Sequence, residues 1–180
     1  MSTKPSAPSP PTTRTAHRIA ATIAALATAT SLTLSPAHAV SGGGKDYASQ
    51  NWTGQTFHGS YSGKDFSGGL FRGCDFAGSD LTNTRFFKAE LREANMNAVN
   101  LSYSSIEAAI LRDTDFTDAI MVGSYISDSI LDAASIENAD FTDALISPES
   151  AVVKLCQRDD AKGLNSTTGV STRESLMCPD

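Results

Sequence analysis

Few side chains in this sequence are of a type that supports catalysis. A Ser-His-Asp or Cys-His arrangement requires a histidine as the base. Of the histidines, only His58 lies beyond an N-terminal segment that has the features of a cleaved leader. We therefore predict no enzymatic activity and interpret His58 as an exposed loop residue, with an undetected enzyme that uses His58 as the alternative. The full set of histidines and cysteines is His17, His38, His58, Cys74, Cys156 and Cys178.

The other side chains that could bind a metal or take part in a reaction are carboxylates. Carboxylates are the ligands that Ca²⁺ prefers, but the Gly/Asp nonapeptide pattern of calcium-binding β-rolls is absent. The stretch from Gly42 to Lys45 lacks the strand–loop–helix context of a phosphate-binding loop. We therefore predict no metal and no cofactor, and we interpret the acidic residues as a solvated surface. Seven of the twenty Asp and Glu residues crowd the C-terminal coils: Asp113, Asp115, Asp118, Asp128, Asp132, Asp140 and Asp143.

Composition restricts the class of protein. The chain has 180 residues, of which 40% are hydrophobic, and a formal net charge of −6. This is apolar enough for one folded domain with a modest core, which excludes global disorder. The negative charge argues against non-specific nucleic-acid binding, because phosphate-binding chains are normally basic. No run of eighteen strongly apolar residues is present, so a permanent membrane span is not supported.

Residues 1–39 have the features of a cleavable targeting segment. They contain three cations and no Asp or Glu, and an Ala-rich apolar stretch over 19–34 leads to the small-x-small pattern of Ala37 and Ala39. We predict cleavage after Ala39. Arg14 and Arg18 are separated, which favours a Sec-type route. Two destinations stay open: bacterial export, to the periplasm or the medium, and a plastid route that ends in the thylakoid lumen.

A period of five residues runs through the middle of the chain. Every fifth residue from Tyr61 to Ile146 is large and apolar, and the residue two positions before each is small from Gly69 to Ala144. A period of five residues matches neither the period of about 3.6 residues in a helix nor that of about two residues in a strand. The repeat therefore predicts a coil that returns one large and one small side chain per unit to a narrow interior. Phe57 and Tyr61 are four residues apart, so the period of five is interrupted there. We therefore predict that residues 40–60 form a linker and an irregular first coil.

Several apolar residues fall at positions that this pattern places on the outside. Leu70, Ile110 and Ile130 have the same phase in a twenty-residue coil, and so do Tyr125 and Leu145. We predict that the two sets lie on adjacent faces. Aligned exposed apolar residues more often mark a contact surface than an accident, so these five residues are the predicted interaction patch.

In many units a small residue is followed by Asp or Asn and then by Leu or Phe. Over residues 61–147 this pattern resembles that of the pentapeptide-repeat family. The segments ANMNA (94–98) and ADFTD (139–143) show it clearly. This resemblance implies an all-β solenoid, a right-handed quadrilateral β-helix with four pentapeptides in each coil. Residues twenty apart would then stack in four interior columns. The family includes DNA mimics that bind topoisomerases, which is one alternative function for this acidic chain.

The period ends before Ser147-Pro148-Glu149, a combination typical of a helix start. We predict that residues 148–180 form a cap with a short helix through Ala151 and Leu155, in which Ser147 is the N-cap. Cys156 and Cys178 bracket this segment, and an exported protein has the compartment for a disulfide. We predict a disulfide between them, with two separate thiols as the alternative. Cys74 is one of the small residues that lie two positions before a large apolar one, and we interpret it as buried.

The tail strengthens the resemblance. The segments LCQR (155–158), DAKG (160–163) and TGVSTRESL (168–176) resemble the C-terminal region of pentapeptide-repeat proteins from the thylakoid lumen and from cyanobacteria. The resemblance implies a non-enzymatic structural or protein-interaction role in the thylakoid lumen, with an unknown protein partner. An exported or periplasmic bacterial protein remains the alternative location.

Overall fold

Residues 47–179 are described by the structure, a computed structural model. The predicted leader, with Ala37 and Ala39, lies outside these residues. Within them the chain forms stacked coils in which residues one coil apart pair in parallel. The pairs form four rows: row A is Asp65, Arg85, Ser105, Tyr125, Leu145; row B is Asn51, Leu70, Glu90, Ile110; row C is Thr56, Asp75, Asn95, Asp115, Ser135; and row D is Ser60, Asp80, Asn100, Ile120, Asp140.

Regular elements are short because most rows consist of single bridges. Three strands in row A form a parallel sheet in the order β1 (Ser105–Ile106), β2 (Tyr125–Ser127) and β3 (Leu145–Ser147). A 3-10 helix, Asp128–Asp132, follows β2 directly. After β3 come the helices α1 (Ser150–Cys156) and α2 (Thr172–Ser175).

The five-residue period has its cause in the corners. At the regular corners the backbone N–H three residues after the central apolar residue donates to its carbonyl, as Gly69 does to Phe66 at 3.2 Å. The residue between them has a positive φ, +64° at Gly68 and +58° at Glu93. The residue before the apolar one is often Asp or Asn because its side chain accepts a turn N–H: Asp75 Oδ1 takes that of Ala77 at 3.1 Å. One turn of this kind therefore recurs every five residues.

The predicted interior columns are buried. Phe66, Phe71, Phe76 and Phe86 have no exposed side-chain surface. Rings one coil apart stack face to face, with centroids 4.6 Å apart for Phe66 and Phe86. In the column of Phe66 and Phe86 the C-terminal coils carry the aliphatic Ile106 and Ile126, whereas the column of Phe76 has a buried ring again at Phe116. The only column members from 61 to 146 that are merely half-buried are Leu131 and Ile146.

The first coil is one residue shorter than the others. Thr56 pairs with Asp75, nineteen residues on, whereas Ser60 pairs with Asp80, twenty residues on. The slip in the sequence between Phe57 and Tyr61 is therefore one missing residue in a coil that continues the stack. Tyr47 covers the end of the core, since it is 6% exposed and its ring stacks on that of Phe66 with centroids 4.8 Å apart.

The 3-10 helix corrects two predicted side-chain directions. Ile130, predicted to face outward, is fully buried, and Leu131, predicted to be interior, is only half-buried. Likewise Ala133 is buried while Ala134 is exposed. The tighter 3-10 winding replaces one regular corner and advances the inward direction by one residue. The regular spacing resumes at Ile136.

The start of α1 is a second correction. Ser147 is not its N-cap, because Ser147 is the last residue of β3 and pairs with Ser127. The helix spans Ser150–Cys156 with Glu149 at the N-cap position. Ala151 and Leu155 are buried, and α1 packs against β3 and the 3-10 helix.

Candidate interaction surface

The residues that could do chemistry lie apart from one another. His58 is exposed in the first coil. Cys74 is 1% exposed, and its Sγ lies 3.0 Å from the carbonyl oxygen of Trp52. Among residues 47–179, no group of three or more His, Cys, Asp or Glu side chains has the arrangement to hold a metal ion.

Four of the five residues of the predicted patch are exposed. Leu70, Ile110, Tyr125 and Leu145 have exposed fractions between 40% and 59%. Ile130 does not belong to the patch, because the 3-10 helix turns it into the core. Leu70 and Ile110 share row B as predicted, but Glu90 lies between them. Row B therefore presents an apolar, an acidic and an apolar side chain on successive coils.

Tyr125 and Leu145 form a continuous apolar pair. They are direct partners in the β2–β3 pairing of row A. Tyr103 adds to the exposed aromatic surface near this row, with 64% of its surface exposed. Its ring lies over Gly123 so closely that a Cβ there would be 2.7 Å from Cε1 of Tyr103. Rows A and B are consecutive in each coil, so the exposed apolar residues lie on two adjacent faces.

An ion-pair network borders row B. Arg72 donates through Nε to Glu90 Oε1 at 3.2 Å and also through its Nη2 group. The hydrogen bond to Glu90 and the charge of this carboxylate raise the pKa of Arg72. The Nε of Arg92 lies 3.6 Å from the same Glu90 oxygen, is shielded from solvent and makes no hydrogen bond within the described part of the chain.

The C-terminal segment fills hydrogen-bonding positions that a further coil would occupy. The N–H groups of Ile136, Asn138 and Phe141 donate to Asp160 Oδ2 at 3.0 Å, to the Lys162 carbonyl at 2.9 Å and to Ser175 Oγ at 3.0 Å. In earlier coils the equivalent N–H groups donate to the next coil, as Phe76 does to Asn95. The segment thus supplies acceptors to the last coil.

Arg158 and Asp160 anchor this segment. The Asp160 carboxylate accepts two hydrogen bonds from Arg158, at 2.8 and 2.7 Å. Arg158 also donates to the carbonyls of Leu131 and Ala133 at 2.9 and 3.0 Å. The hydrogen bonds from Arg158 lower the pKa of Asp160, against the opposing effect of burial, and the Ile136 N–H adds to the lowering.

Asn165 is a second anchor, and it is 1% exposed. Its Nδ2 donates to the carbonyls of Asp118 and Asn138 at 3.0 and 2.9 Å. Its Oδ1 accepts from the N–H groups of Thr167 and Thr168, both at 3.0 Å. Sequence reasoning missed Asn165, Arg158 and Asp160, since a polar tail shows no period that would single them out. The one sequence signal near them was the resemblance of the segments 155–158 and 160–163, which contain Arg158 and Asp160.

Cys156 and Cys178 are joined by a disulfide with a Cα–Cα distance of 5.5 Å. The bond connects the end of α1 to the residues after α2. Arg173 of α2 also donates to the Cys156 carbonyl at 3.0 Å. The disulfide and this hydrogen bond hold the two helices of the tail together.

No helix within residues 47–179 combines the length and apolar character that a membrane crossing requires.

Comparison with known proteins agrees with the repeat. A family model described as pentapeptide repeats matches residues 65–102 and 109–147, with 8 copies. The chain is similar to a solved pentapeptide repeat protein from the Arabidopsis thaliana thylakoid lumen, with 27% identity and a TM-score of 0.61 over 74% of this chain and 92% of that one. It is also similar to HetL of the cyanobacterium Nostoc, a protein involved in regulating heterocyst differentiation. That similarity has 25% identity and a TM-score of 0.46, over 57% of this chain and 41% of HetL. No curated protein sequence matches significantly.

Proposed function

Because the chain belongs to the pentapeptide-repeat family, whose members fold as right-handed quadrilateral β-helices, we propose that it is a non-enzymatic protein-interaction module of the thylakoid lumen. Proteins of this family generally serve as structural or interaction modules. The observation that carries the proposal is the surface of rows A and B. Four large apolar side chains, Leu70, Ile110, Tyr125 and Leu145, are exposed there on adjacent faces although each could be replaced by a polar residue without affecting the core.

The similarity to a lumenal protein supports the proposed location, and so does the composition of residues 1–39. The similarity covers 92% of the Arabidopsis protein and 74% of this chain. A disulfide in the tail is consistent with an oxidising compartment. Both the leader and the disulfide are also consistent with a bacterial periplasm, so the location needs a direct test.

We further propose that residues 148–180 act as a C-terminal cap. A solenoid with an open last coil exposes core side chains and unpaired backbone groups. In this chain α1 covers the end through Ala151 and Leu155, and three backbone N–H groups of the last coil find acceptors in the tail. Such a cap prevents end-to-end association of coils and leaves the side faces free for a partner.

The location is tested by importing the full-length chain into isolated chloroplasts. The expected result is a shortened form that begins at Val40 and is protected from protease by the thylakoid membrane. Replacement of Ala37 and Ala39 by Leu should prevent the cleavage, so that this form no longer appears. A chain that is not imported, or that is processed only when expressed in a bacterium and then appears in its periplasm, contradicts the lumenal location.

The interaction surface is tested separately. The variant Ile110→Thr with Leu145→Thr keeps the interior columns intact, so the fold should survive. Chemical cross-linking of lumen contents should give a defined adduct with the unaltered chain and none with this variant. A matched variant, Val153→Thr with Leu164→Thr, removes two exposed apolar residues outside rows A and B and should retain the adduct. Equal yields from all three proteins contradict the proposed surface.

A further inference from the structure

Charged residues of the three central coils lie on opposite sides of the repeat. Residues 65–72, 85–92 and 105–112, here called the basic side, contain all five Lys and Arg of residues 65–124 and three carboxylates. Residues 73–84, 93–104 and 113–124, here called the acidic side, contain six carboxylates and no Lys or Arg. Since each stretch stacks on its equivalents twenty residues away, the two sides have net charges of +2 and −6.

The basic side also bears exposed apolar side chains. Leu70, Phe87 and Ile110 are exposed at 41%, 42% and 40%. Phe87 lies at the corner between rows A and B, next to Lys88, whose Nζ is 5.0 Å from the centre of the Phe87 ring. Cationic and apolar groups are thus interleaved on this one side, within a chain whose net charge is negative.

Three arginines form a column along one edge of the basic side. Arg72, Arg92 and Arg112 occupy the same corner of successive coils, and adjacent coils are ~4.8 Å apart. Their side chains are 52%, 40% and 69% exposed. Glu90 is the shared acidic neighbour of Arg72 and Arg92, so one carboxylate faces two guanidinium groups. The Nε of Arg112 lies 3.4 Å from Oδ2 of the exposed Asp113, which belongs to the adjoining acidic side.

We propose that the basic side docks an acidic amphipathic helix of a partner protein, lying along the direction in which the coils stack. Residues three or four apart on a helix are about 5 Å apart along its axis, and residues seven apart are about 10.5 Å apart. These spacings match one and two coils. Carboxylates at such positions reach Arg72, Arg92 and Arg112, whose planar N–H groups suit bidentate contacts. Apolar residues beside them contact Leu70, Phe87 and Ile110.

Charge favours such a partner over an anionic membrane. Basic clusters that bind anionic membranes contain roughly four to eight Lys or Arg residues. The basic side has a net charge of +2 only, and the acidic side behind it opposes approach to a negatively charged bilayer. A compact acidic helix contacts the arginine column from rows A and B, whereas Glu93 and Asp113 of the acidic side adjoin the column from the other direction.

This inference rests on the proposed function as an interaction module but does not depend on the location. Its test uses the purified full-length chain and a fluorescent helical peptide of about 21 residues. The peptide has Glu in the i, i+3, i+7 pattern and Leu on the neighbouring stripe. Binding is followed by anisotropy at low salt. We expect saturable binding that weakens as salt increases, because exposed charge pairs are screened.

The decisive comparison is between two pairs of charge-removing variants. Arg92→Gln with Arg112→Gln should bind the peptide roughly fivefold more weakly, because each exposed ion pair contributes about two- to threefold. Lys154→Gln with Lys162→Gln removes the same charge from exposed positions in the tail and should bind almost as the unaltered chain does. Circular dichroism checks the fold, and Arg112→Gln alone serves if the double variant unfolds, since Arg112 is the most exposed of the column.

Three outcomes overturn the inference. The first is equal weakening in both pairs of variants. The second is equal binding of unstructured polyglutamate of the same charge, which would show that no helix is recognised. The third is binding to anionic lipid vesicles that is lost in the Arg92 and Arg112 variant. If the peptide-binding test fails but the protein is imported into thylakoids and cross-links through Ile110 and Leu145, the proposed function stands. If import fails, only the proposed location is contradicted.

Discussion

Removal of the Asn165 side chain should release the C-terminal segment while the upstream coils stay folded. In Asn165→Ala, two backbone carbonyls, of Asp118 and Asn138, lose their donor. The N–H groups of Thr167 and Thr168 lose their acceptor, but both residues are exposed and water can approach them. Each lost buried hydrogen bond costs about 1 kcal/mol, and the truncation of a buried side chain adds about 1 kcal/mol. We therefore expect a loss of about 3 kcal/mol in the attachment of the tail.

Amide hydrogen exchange measures this loss at individual residues. The N–H groups of Ile136, Asn138 and Phe141 are bonded to the tail, and that of Phe76 is bonded to Asn95. A loss of 3 kcal/mol predicts exchange roughly 150-fold faster at the first three. Exchange at Phe76 should not change. The matched control is Asn97→Ala, in a turn of the third coil, which should leave all four amides as they were.

The isosteric variant Asn165→Asp separates hydrogen bonding from side-chain volume. Its carboxylate cannot donate and would place a negative oxygen against two carbonyl oxygens, so at neutral pH it should accelerate exchange at least as much as Ala does. Acceleration of the same size at Phe76, or none at the tail-bonded amides, would refute the idea that Asn165 holds a separable cap.

Three further predictions concern pH, the disulfide and the corners. The pKa of Asp160 is lowered in the folded state by the hydrogen bonds from Arg158, so its stabilising effect is present above the unfolded pKa of about 4 and is lost as the pH falls through the lower folded value. Thermal unfolding from pH 7 to 2 should therefore show an acid-induced loss that is smaller in Asp160→Asn. Replacement of Cys156 and Cys178 by Ser should lower stability by about 3 kcal/mol, because the bond closes a separation of 22 residues. Alkylation of the denatured protein should modify Cys74 alone before reduction and two further cysteines after it, which would establish the bond itself. Gly73→Ala, at φ +59° in open space, should cost about 1 kcal/mol. Gly123→Ala should cost more because its Cβ would also meet the Tyr103 ring at 2.7 Å, and equal midpoints for the two in thermal unfolding would contradict this difference.

The interior of the repeat could be read from the sequence because each unit has the same corner. One turn type with a positive φ every fifth residue returns the same two positions to the core. Local periodicity is therefore enough to identify the buried residues from Phe66 to Ile126. The slip between Phe57 and Tyr61 was visible for the same reason, as a change of spacing, and the structure shows it as a coil one residue shorter.

The predictions that failed concern residues where another element replaces the regular corner of the repeat. Ile130 and Leu131 are both large and apolar, so the spacing alone assigned the interior position to Leu131. The 3-10 helix Asp128–Asp132 tightens the chain and makes Ile130 the buried one. The prediction that Ser147 begins a helix was wrong for a related reason, since pairing with Ser127 keeps this residue in a strand.

The sequence by itself determined the stack of coils, the two interior positions of each unit and the polar character of the outside, because these follow from repeated contacts between near neighbours. Only the tertiary structure decided how the tail is attached. Asn165, Arg158 and Asp160 bond to residues 24 to 47 positions away, and no local pattern specifies such contacts. It also decided which of the aligned apolar residues are exposed. The 3-10 helix turns Ile130 into the core, whereas Leu70 and Ile110, which have the same phase in the coil, stay exposed. The twenty-residue phase alone does not distinguish these cases, because the tighter winding depends on the contacts of one particular coil.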